Sequence, residues 1–205
     1  MRISILGAGA VGQALATLFV AGGHEVALGR RSGGTAPDGS RPVDLRGAAA
    51  HGELVVVAIP YSATPEVLSP LADALAGKVL IDATNPLGAN WSPLRLGEAN
   101  SAAQEIQRRL PRTKVVKAFN TVFAEMMRAD LLQREQGRVA AFIASDHAEA
   151  AAHTAELAKS AGFNPVPTGP LSTAGYLEAM AHLNIAIAVG QGGGTRAAFV
   201  YSRSG

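Results

Sequence analysis

Three glycines near the N-terminus have the spacing of a nucleotide-binding turn. Gly7, Gly9 and Gly12 follow the apolar run 2–6 and form the pattern G-x-G-x-x-G. After a strand, the first glycine permits a tight turn, the second lets the backbone approach a pyrophosphate, and the third lets a helix pack closely on the strand. The pattern therefore predicts a dinucleotide site with the phosphates at the N-terminus of the next helix.

Two arginines at the end of the second predicted strand indicate which dinucleotide binds. Where an acidic side chain would hold the ribose hydroxyls of NAD, the chain has Gly29, Arg30, Arg31 and Ser32. A guanidinium binds a 2′-phosphate through paired hydrogen bonds, whereas a carboxylate would repel it. NADP(H) is therefore the predicted cofactor, and the alternative is that both arginines belong to a solvated basic turn.

The residue types do not form a recognisable acid–base, nucleophilic or metal-binding set. The chain contains no cysteine, which excludes thiolate nucleophiles and cysteine-bound metals. His182 lies one helical turn from Glu178, and an intrahelical contact is the preferred interpretation of that pair, with a substrate cleft as the alternative. We therefore predict no catalytic side chain and no metal ligand.

Composition limits the class of protein. The chain has 205 residues, of which 48% are hydrophobic and 17% charged, and its net charge is +2. Its apolar runs are too short to span a bilayer, and the glycine motif begins where a secretory signal would continue. Lysines and arginines do not cluster beyond pairs, so we expect no nucleic-acid partner. With the lack of cysteine, these features predict a cytoplasmic protein built on one well-cored domain.

Strand and helix patterns alternate along the chain. Predicted strands cover residues 2–6, 24–29, 54–59, 78–82, 114–119 and 139–144, followed by an extended piece at 164–166. Predicted helices cover residues 13–21, 44–50, 64–75, 101–110, 124–131, 147–160 and 175–189. Residues 32–42 are too rich in glycine and proline for a regular element. The alternation predicts an α/β fold, a doubly wound parallel sheet of the Rossmann type, with a small C-terminal helical addition.

Ligands of such a sheet bind beyond the carboxyl ends of its strands. Small or polar residues that could line a nicotinamide follow three of the predicted strands: Ile59 with Pro60, Thr84 with Asn85, and Asn120 with Thr121. The alternative is that these are ordinary turn and cap residues, which their types favour in any protein.

Together these motifs resemble the NADPH-dependent coenzyme F420 reductase family. The likeness rests on residues 6–12, 29–31, 82–86, 116–121 and 169–171 and extends over roughly residues 1–190. Members of that family are compact Rossmann proteins that move a hydride between NADP(H) and a deazaflavin, usually as homodimers.

The resemblance implies a set of cofactor contacts in this chain. Phosphate contacts are implied at Ala8, Gly9, Ala10, Val11 and Gly12, and Gly7 belongs to the same cofactor-binding turn. Arg30 and Arg31 are implied to hold the 2′-phosphate. Nicotinamide contacts are implied near Ile59, Thr84, Asn120 and Ala124.

Hydride transfer between two ring cofactors depends on orientation, which explains the missing acid–base set. Two other classes of function remain open. One is an NADPH-dependent reductase of another small acceptor, such as a flavin, quinone, imine or metal chelate, and the other is a non-catalytic NADP(H)-sensing module. We assign residues 1–168 to the NADP-binding domain and residues 169–205 to a helix and tail that complete the acceptor site.

The final predicted helix is apolar nearly all round, which predicts burial on more than one side and hence a homodimer. Its broad apolar face comprises Leu177, Met180, Ala181, Ile185, Ala188 and Val189, with Leu183 and Ile187 apolar beyond it.

Overall fold

The computed structural model describes residues 1–31, 35–94, 96 and 100–203. The strands are β1 (Arg2–Leu6), β2 (Glu25–Arg30), β3 (Ser40–Asp44), β4 (Leu54–Val57), β5 (Val79–Asp82), β6 (Lys114–Lys117), β7 (Gln133–Arg134), β8 (Gly137–Arg138), β9 (Ala140–Ala144) and β10 (Asn164–Gly169). The helices are α1 (Ala10–Ala21), α2 (Leu45–His51), α3 (Thr64–Leu68), α4 (Ala72–Leu75), α5 (Ala102–Arg109), α6 (Ala129–Leu132), α7 (Ala148–Ser160) and α8 (Ala174–Ile185). Within the described ranges, none of these helices combines the length and apolar character needed to cross a membrane.

Eight strands form one sheet in the order β10-β9-β6-β5-β4-β1-β2-β3. The six strands from β3 to β6 all pair in parallel, in the strand order of a Rossmann sheet. Strands β9 and β10 are parallel to each other, but β9 meets β6 antiparallel where Lys117 faces Ala144. The predicted doubly wound α/β sheet is therefore confirmed as mostly parallel, with an added pair of reversed strands at one edge.

Several predicted elements differ in detail from the structure. Ser40, Arg41 and Pro42 were expected in a loop but begin strand β3, and proline is tolerated there because β3 is an edge strand. The first residues of that predicted loop, 32–34, lie outside the described ranges, and so does Ser32 of the basic turn. The predicted helix 64–75 is divided by a 3₁₀ turn at Ser69–Leu71, which contains Pro70. The small hairpin of β7 and β8 was not predicted.

The sheet has an apolar layer on each face because the central parallel strands are apolar on both sides. Ile5, Val56 and Val116 pack with Leu15 and Phe19 of α1 on one face. The alternate residues of the same strands, such as Val55 and Val115, pack with α5 and α8 on the other face. The continuous apolar runs of the sequence therefore become the centre of the sheet.

A buried ionic cluster joins the sheet to the helices on that second face. Lys117 of β6 places its Nζ 2.9 Å from Oδ2 of Asp82 on β5 and 2.8 Å from Oε1 of Glu178 on α8. The same Nζ donates a 2.6 Å hydrogen bond to the carbonyl oxygen of Thr84. Glu178 also accepts the backbone N–H of Ala102, the first residue of α5, at 3.0 Å. One ammonium thus connects two strand ends and two helices.

The electrostatics of this cluster favour a charged lysine. Burial alone would lower the pKa of Lys117, but the carboxylates of Asp82 and Glu178 outweigh that effect and raise the pKa above its ordinary value. Asp82 additionally accepts the backbone N–H of Thr84 at 2.9 Å, so each charged group has further polar partners. A buried charge is tolerated only with such compensation.

We expect Lys117→Met to destabilise the fold by about 3–5 kcal/mol, because it leaves two buried carboxylates without their counter-charge. Lys114→Met is the matched control, since Lys114 lies on the same strand and pairs with Glu149 at the surface. Urea denaturation of both variants measures the effect. Equal urea midpoints for the two variants would contradict the proposed contribution of the cluster to the stability of the fold.

Candidate active site

Two cavities lie at the carboxyl ends of the parallel strands. The first, here called the adenosine cavity, has a volume of about 540 Å³ and is lined by Gly7, Ala8, Gly9, Gln13, Gly29, Arg30, Arg31, Thr35, Leu45, Ala58, Ile59, Pro60, Ala63 and Val67. The second, here called the ring cavity, has a volume of about 370 Å³ and is lined by Ala10, Val11, Ala83, Asn85, Leu87, Trp91, Phe119, Asn120, Thr121, Val122, Phe123, Ala124, Glu125, Ala181, Asn184, Ile185 and Thr195. Both volumes are in the range of small-molecule sites.

Residues of the glycine turn line both cavities. Gly7 has a φ of +119°, and a Cβ there would lie 2.3 Å from the carbonyl oxygen of Ala58, so only glycine fits the turn. A Cβ on Gly12 would lie 1.9 Å from the carbonyl oxygen of Gly7, which shows how closely α1 packs on it. Gly9 faces open space: apart from its neighbours in the chain, no described residue has a heavy atom within 4 Å of the position that a Cβ would take.

The start of α1 is suited to an anion. Gly9 is its N-cap and provides no side chain, and the first turn contains no acidic residue. Its first N–H groups therefore have no partner from within the helix, and the helix dipole adds positive potential at the same place. A pyrophosphate over Gly9 would satisfy these donors and connect a nucleotide in one cavity with a ring in the other.

Arg30 and Arg31 both line the adenosine cavity at the end of β2. The guanidinium of Arg30 donates one hydrogen bond to the carbonyl oxygen of Thr35, while its Nε is buried with no partner among the described residues. A buried donor without an acceptor is costly, so this Nε fits a site that an anionic oxygen completes. The residues present thus fit the 2′-phosphate of NADP.

Two asparagines form a fixed amide pair in the ring cavity. Asn85 donates to the backbone carbonyl of Asn120 at 2.8 Å, and Asn120 donates to Oδ1 of Asn85 at 3.0 Å and to the carbonyl oxygen of Leu177 at 3.1 Å. Because backbone carbonyls only accept, they fix the orientation of both amides. Oδ1 of Asn120 is left buried without a donor in the described chain.

The backbone at Phe119 turns the chain sharply between β6 and this amide pair. Its φ of +64° is unusual for a residue with a bulky side chain. The ring of Phe119 is held between Phe19, at 5.9 Å between centroids, and Phe163, at 5.5 Å. Aromatic packing therefore maintains a strained turn that presents Asn120 to the cavity, as strain at functional sites often does.

Two nearby titratable groups lie outside both cavities. The hydroxyl of Tyr61 donates to Glu105, which also pairs with Arg109. Burial, with a contribution from Glu105, raises the pKa of Tyr61, so the phenol stays protonated. Burial lowers the pKa of His182, and its Nε2 has no partner within the described chain.

The expected intrahelical contact between His182 and Glu178 is present as an electrostatic interaction only. Among the described residues no hydrogen bond or ion pair joins them, because Glu178 is held by Lys117 and by the N-terminus of α5. The charge of Glu178 only partly offsets the effect of burial on the pKa of His182.

The structure distributes the residues predicted from the sequence between the two cavities. The adenosine cavity holds Gly7, Ala8, Gly9, Arg30, Arg31, Ile59 and Pro60, whereas the ring cavity holds Ala10, Val11, Asn85, Asn120, Thr121 and Ala124. Gly12 and Thr84 line neither; Gly12 packs under the turn, and Thr84 is buried beside Lys117. That these residues contact the cofactor remains a prediction.

Sequence reasoning missed other residues of the ring cavity. Trp91 and Asn184 line it, as does Phe119. A positive φ at Phe119 has no signal in the sequence. Trp91 is the chain's single tryptophan and lies in the segment that follows β5, which could have identified it.

Comparison with known proteins identifies the family. The family described as NADP oxidoreductase, coenzyme F420-dependent, matches residues 2–86. The F420-dependent NADP reductase of Methanothermobacter thermautotrophicus is 32% identical over an alignment that covers 90% of this chain and 88% of the relative. The chain belongs to the coenzyme F420-dependent NADP oxidoreductase family.

Other relatives extend the comparison. A crystal structure of a candidate F420-dependent NADP reductase from Arthrobacter sp. FB24 has a TM-score of 0.85 and 31% identity, and it covers 99% of this chain and 100% of that one. Metalloreductase STEAP3 of Rattus norvegicus is 32% identical over 183 residues, 87% of this chain. The chain spans only 36% of the length of that relative.

Membership of the F420-dependent NADP oxidoreductase family makes this chain an NADP-dependent oxidoreductase. The two arginines of the adenosine cavity, with the unpartnered Nε of Arg30, agree with the phosphorylated form of the dinucleotide.

We expect Arg31→Ala to weaken NADPH binding roughly 10- to 100-fold and to leave NADH binding nearly unchanged, because one charged partner of the 2′-phosphate is lost. Arg112→Ala is the control, since Arg112 pairs with Asp73 and lines neither cavity. Titration of both nucleotides into each protein measures the difference. Equal affinity of the unmodified protein for NADPH and NADH would contradict the assignment.

Proposed function

We propose that this member of the family transfers a hydride between NADP(H) and coenzyme F420, with no side chain acting as an essential acid or base. The observation that carries the proposal is the chemical character of the ring cavity. Its walls are apolar, aromatic or amide-bearing, and Glu125, exposed to solvent, is the one titratable side chain among its described lining residues. A site of this kind favours holding planar rings over delivering a proton.

The side chains of the ring cavity would orient and enclose the two rings that react. When bound, the nicotinamide and the deazaflavin supply the two carbon atoms between which the hydride passes. Asn85 and Asn120 form a rigid pair of amides at one side of the cavity, and Val11 and Ile185 contribute apolar walls. The protein thereby contributes proximity and orientation, which account for a large part of the rate of such reactions.

The C-terminal part supports a site shared between two sections of the chain. Ala181, Asn184 and Ile185 of α8 line the ring cavity, as does Thr195 of the tail. We therefore propose residues 1–168 as the NADP-binding domain and residues 169–205 as the part that completes the acceptor site. The proposal includes the cytoplasmic location and the small-molecule acceptor expected from the sequence.

A second candidate function is reduction of another acceptor by NADPH. It is favoured by the match to a relative named as a metalloreductase, which has the same percentage identity as the F420-dependent relatives. Flavins, quinones and imines belong to the same alternative. The non-catalytic NADP(H)-sensing module is the remaining alternative.

The acceptor is tested by following NADPH oxidation with a panel containing a deazaflavin, a flavin, a quinone, an imine and a ferric chelate. We expect the deazaflavin to give the highest kcat/KM. Turnover of another acceptor only would assign the protein to the second candidate function. Binding of NADPH without any turnover would favour the sensing module.

The absence of an essential acid or base is tested by removing two titratable side chains, other than Glu125, whose neighbours in the chain line the cavities. We expect His182→Ala and Tyr61→Phe to keep a substantial fraction of kcat, because loss of a true general acid costs roughly 10²- to 10⁴-fold. Ala124→Leu, which fills the ring cavity, should reduce turnover much more. Abolished activity in either of the first two variants, with folding intact, would overturn the mechanism.

We also propose that the protein is a homodimer that uses the C-terminal helix. The apolar face predicted from the sequence is largely turned inward, since Leu177, Ala181 and Ile185 are buried in the chain's own core. Leu183 and Ile187 are instead exposed, by 56% and 47%. Exposed apolar residues close together, at the end of α8 and in the helical segment that follows it, favour a contact with a second copy.

We expect light scattering to give a dimer mass for the unmodified protein at micromolar concentration and a monomer mass for Ile187→Glu. A charge at the centre of this face would have to be desolvated on association, which is costly. A monomer mass for the unmodified protein would remove the proposal.

A further inference from the structure

A short hairpin after β5 forms one side of the ring cavity. Leu87 and Pro93 face each other in an antiparallel bridge. The N–H of Gly88 donates to the carbonyl oxygen of Ser92 at 2.8 Å, and the N–H of Leu94 donates to that of Pro86 at 2.9 Å. Trp91 lies at the tip of this hairpin, six residues after Asn85 of the amide pair.

The tip holds Trp91 in an uncommon conformation. Asn90 and Trp91 have consecutive positive φ values of 56° and 62°. Such values are disfavoured for L-residues and especially for bulky ones. The indole is 56% exposed, although tryptophan is mostly buried in folded chains. It nevertheless lines the ring cavity. Among the described residues, no other aromatic ring packs against its indole.

The remaining walls leave room for a planar ring beside the indole. Val122 and Phe123 contribute apolar surface, and Ile185 of α8 does the same. At the polar end, Oδ1 of Asn120 is a buried acceptor without a donor, which an N–H at the edge of a bound ring would satisfy. A flat heteroaromatic molecule matches both features.

We propose that Trp91 is the residue that recognises the hydride acceptor, by stacking its indole on the face of the acceptor's planar heteroaromatic ring. The inference rests on the proposed function, because it assumes that the ring cavity receives an aromatic acceptor. Stacking on tryptophan is strong and depends little on the substituents of the stacked ring. One side chain can therefore set both the affinity and the orientation of the acceptor. Trp91 takes part in no bond-making step.

Kinetics of three variants separate recognition of the acceptor from binding of NADPH. We expect Trp91→Leu to raise the KM for the acceptor roughly 5- to 100-fold and Trp91→Phe to raise it less, with the KM for NADPH unchanged in both. Tyr176→Leu is the matched control, because Tyr176 is a more exposed aromatic residue, at 74%, that lines neither cavity. An unchanged KM for the acceptor in Trp91→Leu would overturn the inference.

A binding experiment on the unmodified protein uses Trp91 as its own probe. Because Trp91 is the only tryptophan, acrylamide quenching of the protein's emission reports the accessibility of this one side chain. We expect saturating oxidised deazaflavin to shield Trp91 from acrylamide by several-fold. Energy transfer to the bound chromophore shortens the emission lifetime, so the accessibility of Trp91 is calculated as the quenching constant divided by the lifetime measured without acrylamide.

The outcomes distinguish this inference from the proposed function. Shielding by a flavin or quinone together with failure to turn over deazaflavin would uphold the role of Trp91 and overturn the proposed acceptor. Turnover of deazaflavin without shielding would uphold the proposed function and overturn the role of Trp91. Shielding by NADPH alone would assign the indole to the cofactor and overturn the role of Trp91. Shielding when the protein concentration is raised without ligand would assign the indole to an interface between copies and would also overturn that role.

Discussion

The buried ammonium of Lys117 is the interaction on which the candidate site depends. It lies between the carboxylates of Asp82 and Glu178 and holds the carbonyl of Thr84. Taking these charges out of water is expensive, and the cost is recovered only if all partners stay in place. The ends of β5 and β6 and the start of α5 are therefore fixed relative to α8. Because those strand ends continue into Asn85 and Asn120, the geometry of the ring cavity follows from the same cluster.

The strained turn at Phe119 and its aromatic packing also fix the geometry of the site. The left-handed turn at Phe119 would be unstable alone, but its ring packs between Phe19 of α1 and Phe163. The helix that carries the glycine turn is thereby coupled to the strand end that carries Asn120. The two cavities, which a dinucleotide would bridge, are thus built around one rigid junction. A reaction that depends on orientation requires this kind of rigidity.

Local patterns in the sequence predicted the Rossmann sheet and the phosphate turn because both follow from short-range physics: glycine conformations, apolar strands and helix starts. They also predicted the residues at the strand ends, although not which cavity each would line. The ion pair between Lys117 and Glu178 could not be predicted, because the two residues are far apart in the chain. The residue pattern around Lys117 indicated only a strand. The reversed direction of β9 and the positive φ of Trp91 likewise depend on tertiary contacts. Pro42 misled the prediction because an edge strand tolerates proline.

We propose direct transfer of a hydride from NADPH to a deazaflavin held in the ring cavity. It is tested most directly by incubating the protein with NADPH deuterated at both C4 positions of the nicotinamide and analysing the reduced deazaflavin by mass spectrometry. Direct transfer places deuterium on a ring carbon of the product, where it does not exchange with water. A product that carries only solvent hydrogen at that carbon would contradict the account.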